Sequence, residues 1–430
     1  MVIRNNVFAL TKQKLDKNND LLYNWNKSGG GFMISRQVYL ENLISFRDKQ
    51  LIKVVTGIRR CGKSTLFELY QDFLKSDGVS DDQIILINFE DGEFEDIETS
   101  KQLYAYVKER LLPDKNMYIF LDEVQRVYEF QKAVDSLYIK KNCDVYITGS
   151  NAHLLSGELA TLLSGRYVEI KMLPLSFKEY VSAFSKDIGI DRLYADYTQN
   201  SAFPYALELD KPKDRRQYLQ GIYDTIVLKD IVARRKFPDV EMLKSVVRFM
   251  LHNIGNICST KSIADTMTSA GRKISVHTVE SYLSSLVNSF ILYKIGRYDI
   301  KGKQYLKTGD KYYVADIGLR YALLGSRKAD LGHILENVVF LELLRRGYEV
   351  YIGKVDSTEV DFIAIGDEGE EYYQVAYTVI DTDGKTLERE LAPLDAIKDH
   401  NPKYLLTMDH TPFTSHNGIK QINVLDWLLK

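Results

Sequence analysis

The run Gly57-Ile58-Arg59-Arg60-Cys61-Gly62-Lys63-Ser64-Thr65 has the spacing G-x-x-x-x-G-K-[ST], and the chemistry of that spacing is phosphate binding. Gly57 and Gly62 permit backbone angles and a close approach that a side chain would block. The loop amides then face phosphate oxygens, and the start of the helix that follows adds positive potential. Lys63 supplies a mobile charge for the β- and γ-phosphates, and the Ser64 hydroxyl is placed to ligate magnesium. Beyond the lysine by 59 residues, the apolar run Met117-Tyr118-Ile119-Phe120-Leu121 ends in Asp122-Glu123. Asp122, at the end of such a strand, is expected to hold magnesium directly or through water. Glu123 is the expected base that orients and polarises the attacking water. ATP and Mg2+ are therefore the expected ligands, and ATP hydrolysis the expected reaction.

Two further groups fit the same site. The run Val145-Tyr146-Ile147-Thr148 ends in Gly149-Ser150-Asn151. Either Ser150 or Asn151 would hydrogen-bond the attacking water or the γ-phosphate, or else the pair caps a turn. Arg166 would reach a γ-phosphate, in its own subunit or in a neighbour's, or else it is an ordinary solvated arginine.

These groups need a scaffold with short buried strands. Residues 51–56, 84–89, 118–121 and 145–148 are short runs rich in Ile, Val, Leu or Tyr with little polar alternation, as strands covered on both faces are. Helical patterns at 64–76, 99–112 and 129–141 lie between them, and an amphipathic helix with Val38, Leu40, Leu43, Ile44 and Phe46 precedes them over 34–50. Strand–helix alternation of this kind predicts a parallel α/β sheet. Residues 176–238 read as mostly helical. A long helix at 332–346 leads into strands at 348–352, 359–365 and 371–379.

The 430 residues are 45% hydrophobic and 27% charged, which suits an ordinary globular protein of several domains. A net charge of −2 gives the whole molecule no bias toward a polyanion. Cys61, Cys143 and Cys258 are odd in number and far apart, which argues against a disulfide framework, fits a reducing cytoplasmic location and gives no zinc-ligand spacing. No apolar run reaches the roughly 18 residues of a membrane span, so no membrane partner is expected. Residues 1–32, Asn- and Lys-rich and ending in Ser28-Gly29-Gly30-Gly31, read as a flexible leader or a non-native extension.

The residues collected so far also resemble a family. The Arg59-Arg60 pair, Phe120-Leu121-Asp122-Glu123-Val124-Gln125, Thr148-Gly149-Ser150, Ser164-Gly165-Arg166-Tyr167, Ala202-Phe203-Pro204, the 223–232 helix with Lys229-Asp230, and Leu335-Glu336-Asn337 with Phe340, Glu342-Leu343 and Arg345-Arg346-Gly347 are similar to prokaryotic AAA-type ATPases that carry a C-terminal domain of unknown function. The resemblance spans about 33–430. It implies a P-loop NTPase parallel sheet of AAA type at 33–175, a helical lid or linker at 176–240, a winged-helix-like domain at 241–325, and at 326–430 an α/β domain of restriction-endonuclease type, similar to PD-(D/E)xK nucleases.

The residues bear on both implied domains. Residues 259–268 and 275–288 have the pattern of a helix-turn-helix, with Ile263, Ala264, Met267, Tyr282, Leu283, Leu286 and Val287 inward. Strands at 291–297 and 312–315 would form the wing. The 241–310 segment holds ten Lys or Arg against five Asp or Glu, and Ser275, His277 and Thr278 open the second helix. Double-stranded DNA is the partner that fits a local basic surface, a structural or protein-binding role being the alternative. In the nuclease-like domain the resemblance assigns Glu336, Asp361 and Gln374 to the acid positions. Ala376 stands where such nucleases carry lysine, with Lys354 or Lys385 as conceivable substitutes, so magnesium-dependent DNA cleavage is expected to be absent.

The functional expectation is an ATPase coupling nucleotide state to conformational change on DNA or a protein partner, with a homo-oligomer as a further expected assembly. The alternative is a nucleotide-set regulatory binding module with slow turnover. An ATP-dependent nuclease is a weaker third.

Overall fold

The chain's computed structural model describes residues 34–430 apart from 153–162, 164, 186, 233–236, 238, 326–329, 383 and 413. The leader expected at 1–32, and Ser164, lie outside the described residues. The four apolar runs become strands β1 (Ile52–Thr56), β2 (Ile84–Asn88), β3 (Met117–Asp122) and β4 (Cys143–Gly149). A fifth, β5 (Tyr167–Lys171), lies beside β1, and the parallel order is β2-β3-β4-β1-β5. The sequence reading does not anticipate β5. Of its five residues only Ile170 is buried, as befits an edge strand.

Helices cover both faces of this sheet. Every residue of β3 is buried, and its side chains alternate between two apolar layers. Ile119 and Leu121 pack with Leu103 and Val107 of α3 (Ser100–Arg110) and Val134 and Leu137 of α4 (Phe130–Tyr138). Phe120 faces the other way, edge-on to Phe67 and Tyr70 of α2 (Lys63–Ser76) and stacked on Tyr146. Helix α3 starts at a capping box in which Thr99 accepts the Gln102 amide. The amphipathic helix expected at 34–50 is shorter, α1 (Gln37–Ser45), because Arg36 is left-handed at φ 46° and the chain turns after Ser45. A five-stranded parallel sheet layered by helices is the expected P-loop NTPase α/β fold.

That unit ends at Met172, and Leu173–Lys430 form a second compact unit. It opens with helices α5 (Phe177–Ser182), α6 (Ile190–Asn200), α7 (Pro212–Thr225) and α8 (Val240–His252). Strand β6 (Ile257–Cys258), helices α9 (Thr260–Ser269) and α10 (Val276–Asn288), and the antiparallel pair β7 (Leu292–Asp299) and β8 (Gln304–Val314) follow. Ser259 and Ser275 cap the two helices, and of the residues expected inward Ile263, Ala264, Met267, Tyr282, Leu283 and Leu286 are buried, while Val287 is half-buried. After α11 (Ile317–Leu324) comes α12 (Leu331–Arg345), buried continuously from Ile334 to Leu343. Strands β9 (Glu349–Val355), β10 (Thr358–Gly366) and β11 (Gly369–Ala376), helix α13 (Lys385–Asp395), strands β12 (Lys403–Thr407), β13 (Thr414–His416) and β14 (Ile419–Asn423), and helix α14 (Val424–Leu429) complete it. One nine-stranded sheet, in order β13-β14-β12-β11-β10-β9-β7-β8-β6, runs through the unit. Strand β7 is parallel to β9, with Arg297 opposite Ile352, so strands from 241–325 and 326–430 share hydrogen bonds.

Candidate functional site

Three strand ends meet at the phosphate-binding loop. Because β1, β4 and β3 are neighbours and parallel, Gly57, Gly149-Ser150 and Asp122-Glu123 leave the same edge of the sheet. Gly57 has φ 152°, and a β-carbon built on it would stand 2.1 Å from the Met172 carbonyl oxygen, so only glycine fits. Gly62, at φ 100°, is the N-cap residue of α2 and offers no side chain to its first turn. The first amides of this 14-residue helix therefore have no cap and remain available to an anion. Ile58 and Cys61 are buried beneath the loop, where burial raises the Cys61 thiol above its usual value. The Arg36 guanidinium donates to the Cys61 carbonyl at 2.8 Å and fixes the loop from below.

Lys63 Nζ donates to the Gly57 carbonyl at 3.2 Å and stands 3.6 Å from Glu123 Oε1. The Ser64 hydroxyl, on an exposed residue at the start of α2, favours the ionised form of the Asp122 carboxyl. Thr65 is half-buried in the same turn. A hydroxyl paired with a carboxylate is a hard-oxygen donor set, and it fits magnesium, which takes one or two protein ligands beside substrate phosphates.

The two acids are tuned apart. Burial raises Asp122 above the usual carboxylate value, although Ser64 and the Thr148 hydroxyl act in the opposite direction. Burial also acts on Glu123, but Lys63, Gln125, Arg59 and Ser150 outweigh it and hold that carboxyl below its usual value. Glu123 is left-handed at φ 55°, a conformation unfavourable by about 1–2 kcal/mol for a residue with a side chain. Its backbone N–H donates to Thr148 Oγ1 at 2.9 Å, and the same hydroxyl donates to Asp122 Oδ1. Ser150 Oγ donates to Glu123 Oε2 at 3.2 Å, and Asn151 is buried next to it. In the loop, Arg59 pairs with Glu90, which also accepts Arg126 Nη2 at 2.9 Å, while Arg60 is exposed and left-handed at φ 68°.

Arg166 is not brought to this site in its own subunit. Its carbonyl accepts the N–H of Ile52, the first residue of β1, at 2.8 Å. That places it at the amino-terminal edge of the sheet, about 16 Å of strand from the loop. Its guanidinium pairs with Asp135 and lies 5.6 Å from the Tyr138 ring centroid. The sequence reading also misses Thr148, Gln125, Arg36 and Glu90. Thr148 alone carries a signal, a hydroxyl in the last turn of a strand beside the acidic one.

Glu336, Asp361 and Gln374 do come together in the second unit. The Asp361 N–H donates to Gln374 Oε1 at 3.4 Å, Asp361 Oδ2 accepts the Val375 N–H at 2.8 Å, and the Glu336 charge acts on Asp361. Lys311 of β8, which the sequence reading does not name, stands 3.0 Å from Glu336 Oε1.

Residues 49–181 match a family model described as an AAA domain, and residues 191–330 match a domain of unknown function, DUF8612. The chain is 43% identical over 402 residues to an "Uncharacterized protein" of Haemophilus influenzae, across 93% of this chain and 99% of that one. It is 30% identical over 366 residues to "Uncharacterized protein MJ1544" of Methanocaldococcus jannaschii, across 81% of this chain and 79% of that one. In fold it is similar to the Walker-type ATPase PABY2304 of Pyrococcus abyssi, with TM-score 0.47 and 15% identity over 68% of this chain and 96% of that one.

Proposed function

Because the chain belongs to the same family as the Haemophilus and Methanocaldococcus proteins and carries an AAA-type P-loop domain, we propose that it binds ATP with magnesium on the 57–65 loop and hydrolyses it. The observation that carries this reading is the placement of Lys63 3.6 Å from Glu123, where the loop that follows β1 meets the end of β3 across β4. Magnesium, when bound, would offset the charge that develops on the phosphate oxygens. Ser64 and Asp122 would hold it. The amides of 58–65 would bind the phosphates, and Lys63 would turn from the Gly57 carbonyl and Glu123 toward them. Glu123, ionised and fixed by Ser150 and Gln125, would orient a water and take up its proton. Asn151 and Ser150 would border that water. Arg166 we assign to a neighbouring copy's nucleotide in a homo-oligomer, since its place at the opposite sheet edge leaves its own loop out of reach.

We assign 241–325 the winged-helix role and double-stranded DNA as its partner. What supports this is a capped helix pair, α9 and α10, followed by an antiparallel hairpin, with Arg272, Lys273, Ser275 and His277 exposed at the start of α10. The hairpin is hydrogen-bonded to β9 and so is not a free wing, and we assign the contact to α10. Phosphate release from Mg–ATP, measured with and without duplex DNA at two salt concentrations, tests both assignments. The motor reading expects turnover that DNA raises and salt suppresses. Turnover absent under every condition would leave only a nucleotide-set switch.

A further inference from the structure

The second unit buries charge that nucleotide chemistry does not use. Lys311 of β8 is 5% exposed, and its ammonium lies 3.0 Å from Glu336 Oε1 on α12 and 2.7 Å from Glu359 Oε1 on β10. Tyr313, two residues along the same strand and on the same face, donates its hydroxyl to the same Glu336 oxygen. The other oxygen of Glu336 faces His333 Nδ1 at 3.5 Å and the α-carbon of Gly255, where an added β-carbon would come within 3.3 Å. Asp361, also on β10, is within the electrostatic reach of both Glu336 and Lys311. Gln374, the remaining group the resemblance assigns to a nuclease centre, spends its amide on Glu390 Oε2 at 3.0 Å.

A divalent ion at this cluster would have to bridge carboxylates of α12 and β10, at about 2.0–2.6 Å from their oxygens and with about six ligands in all. The Lys311 nitrogen occupies that bridging position. The donor set as it stands does not fit a metal ion, because the space and the charge compensation are both taken. We propose that the Glu336, Glu359 and Asp361 cluster carries its cation covalently, as the Lys311 ammonium, and takes no divalent metal while that lysine is in place. The lysine comes from the 304–314 strand and the acids from the 331–366 segment, so the cluster fastens one stretch of the chain to the other. Burial disfavours the Lys311 charge, but Glu336, Asp361 and Glu359 outweigh it and keep the ammonium protonated. The Ala376 position thus has no need of a lysine, and the chemistry left to the cluster is cohesion rather than hydrolysis.

The inference is independent of the nucleotide reading, and Mn2+ binding to the full chain tests it. Electron paramagnetic resonance titration without nucleotide, in an Asp122→Asn background, reads only sites outside the phosphate loop. With Lys311 present, Mn2+ binding is expected to be the same whether position 336 is Glu or Gln. Lys311→Ala is expected to raise Mn2+ affinity by about tenfold or more, and adding Glu336→Gln to abolish the gain. Binding that depends on Glu336 with Lys311 in place overturns the proposal. So does a Lys311→Ala protein of native circular dichroism that gains no Mn2+. Should Lys311→Ala not fold, the comparison of Glu336 with Glu336→Gln still decides.

Discussion

Replacing Thr148 with valine removes one oxygen and nearly preserves the shape of the side chain. That oxygen accepts the backbone N–H of Glu123 at 2.9 Å and donates to Asp122 Oδ1, and Thr148 is 0% exposed, so no water replaces it. A hydrogen bond to a charged group contributes about 1.5–3 kcal/mol, and a buried N–H left unpaired is unfavourable by about 1–3 kcal/mol. The left-handed turn at Glu123, itself unfavourable by about 1–2 kcal/mol, loses the bond that holds it. Relaxation of the turn is expected to recover part of this and to carry Glu123 away from its water. Turnover should then fall by about tenfold to a hundredfold, which is about 1.4–2.7 kcal/mol in the barrier. Nucleotide affinity should change much less, because Lys63 and the loop amides are untouched. Steady-state phosphate release gives the first quantity and equilibrium titration with a fluorescent ATP analogue the second. Thr148→Ser should restore turnover to within about threefold, since the oxygen returns. A folded Thr148→Val protein whose turnover matches that of the unmodified chain would refute the reasoning.

Other expectations follow from the same geometry. Gly57→Ala places a β-carbon 2.1 Å from the Met172 carbonyl, and should weaken ATP binding by about tenfold or more in a calorimetric titration while leaving the fold intact. Asp144→Ala strands the fully buried Lys53 ammonium, and should lower unfolding free energy in urea by about 3–5 kcal/mol. The two acids of the site should affect nucleotide-free stability with opposite signs. The folded state raises Asp122, so the stability that carboxyl contributes is present at acid pH and lost as pH rises through its folded value. Asp122→Asn should therefore raise the melting temperature at neutral pH. The folded state depresses Glu123, whose contribution is present at neutral pH and lost as pH falls through that depressed value. Glu123→Gln should lower the neutral melting temperature, and both differences should shrink in acid.

The parts of the site that were legible in the sequence are those whose geometry is local. Gly57 to Thr65 encode one turn, and Asp122-Glu123 end one apolar strand, so their types and spacing suffice. Thr148 was visible as a residue but not as a partner, because its role depends on β4 lying beside β3 with Thr148 against Asp122. Which of its alternatives Arg166 takes was open for the same reason. Sequence proximity to the loop's strands does not tell which end of a strand a residue occupies, and the β1–β5 register puts it at the far one. Strand β5 escaped notice because an edge strand alternates and lacks a continuous apolar run. The helix pair at 259–288 was legible from its inward apolar spacing. Lys311 was not, since it is an ordinary lysine just past the basic segment and only the pairing of β7 with β9 carries its strand to α12 and β10. Among the described residues no helix is long and apolar enough to cross a membrane, in line with the hydropathy pattern.

The measurement that reaches the central claim most directly is calorimetric titration of Mg–ATP into the unmodified chain, Lys63→Ala and Glu123→Gln, with phosphate release followed on the same samples. The account predicts binding to the unmodified chain and to Glu123→Gln, none to Lys63→Ala, and release from the unmodified chain alone. Mg–ATP binding that survives Lys63→Ala unchanged, or release that survives Glu123→Gln, would contradict it.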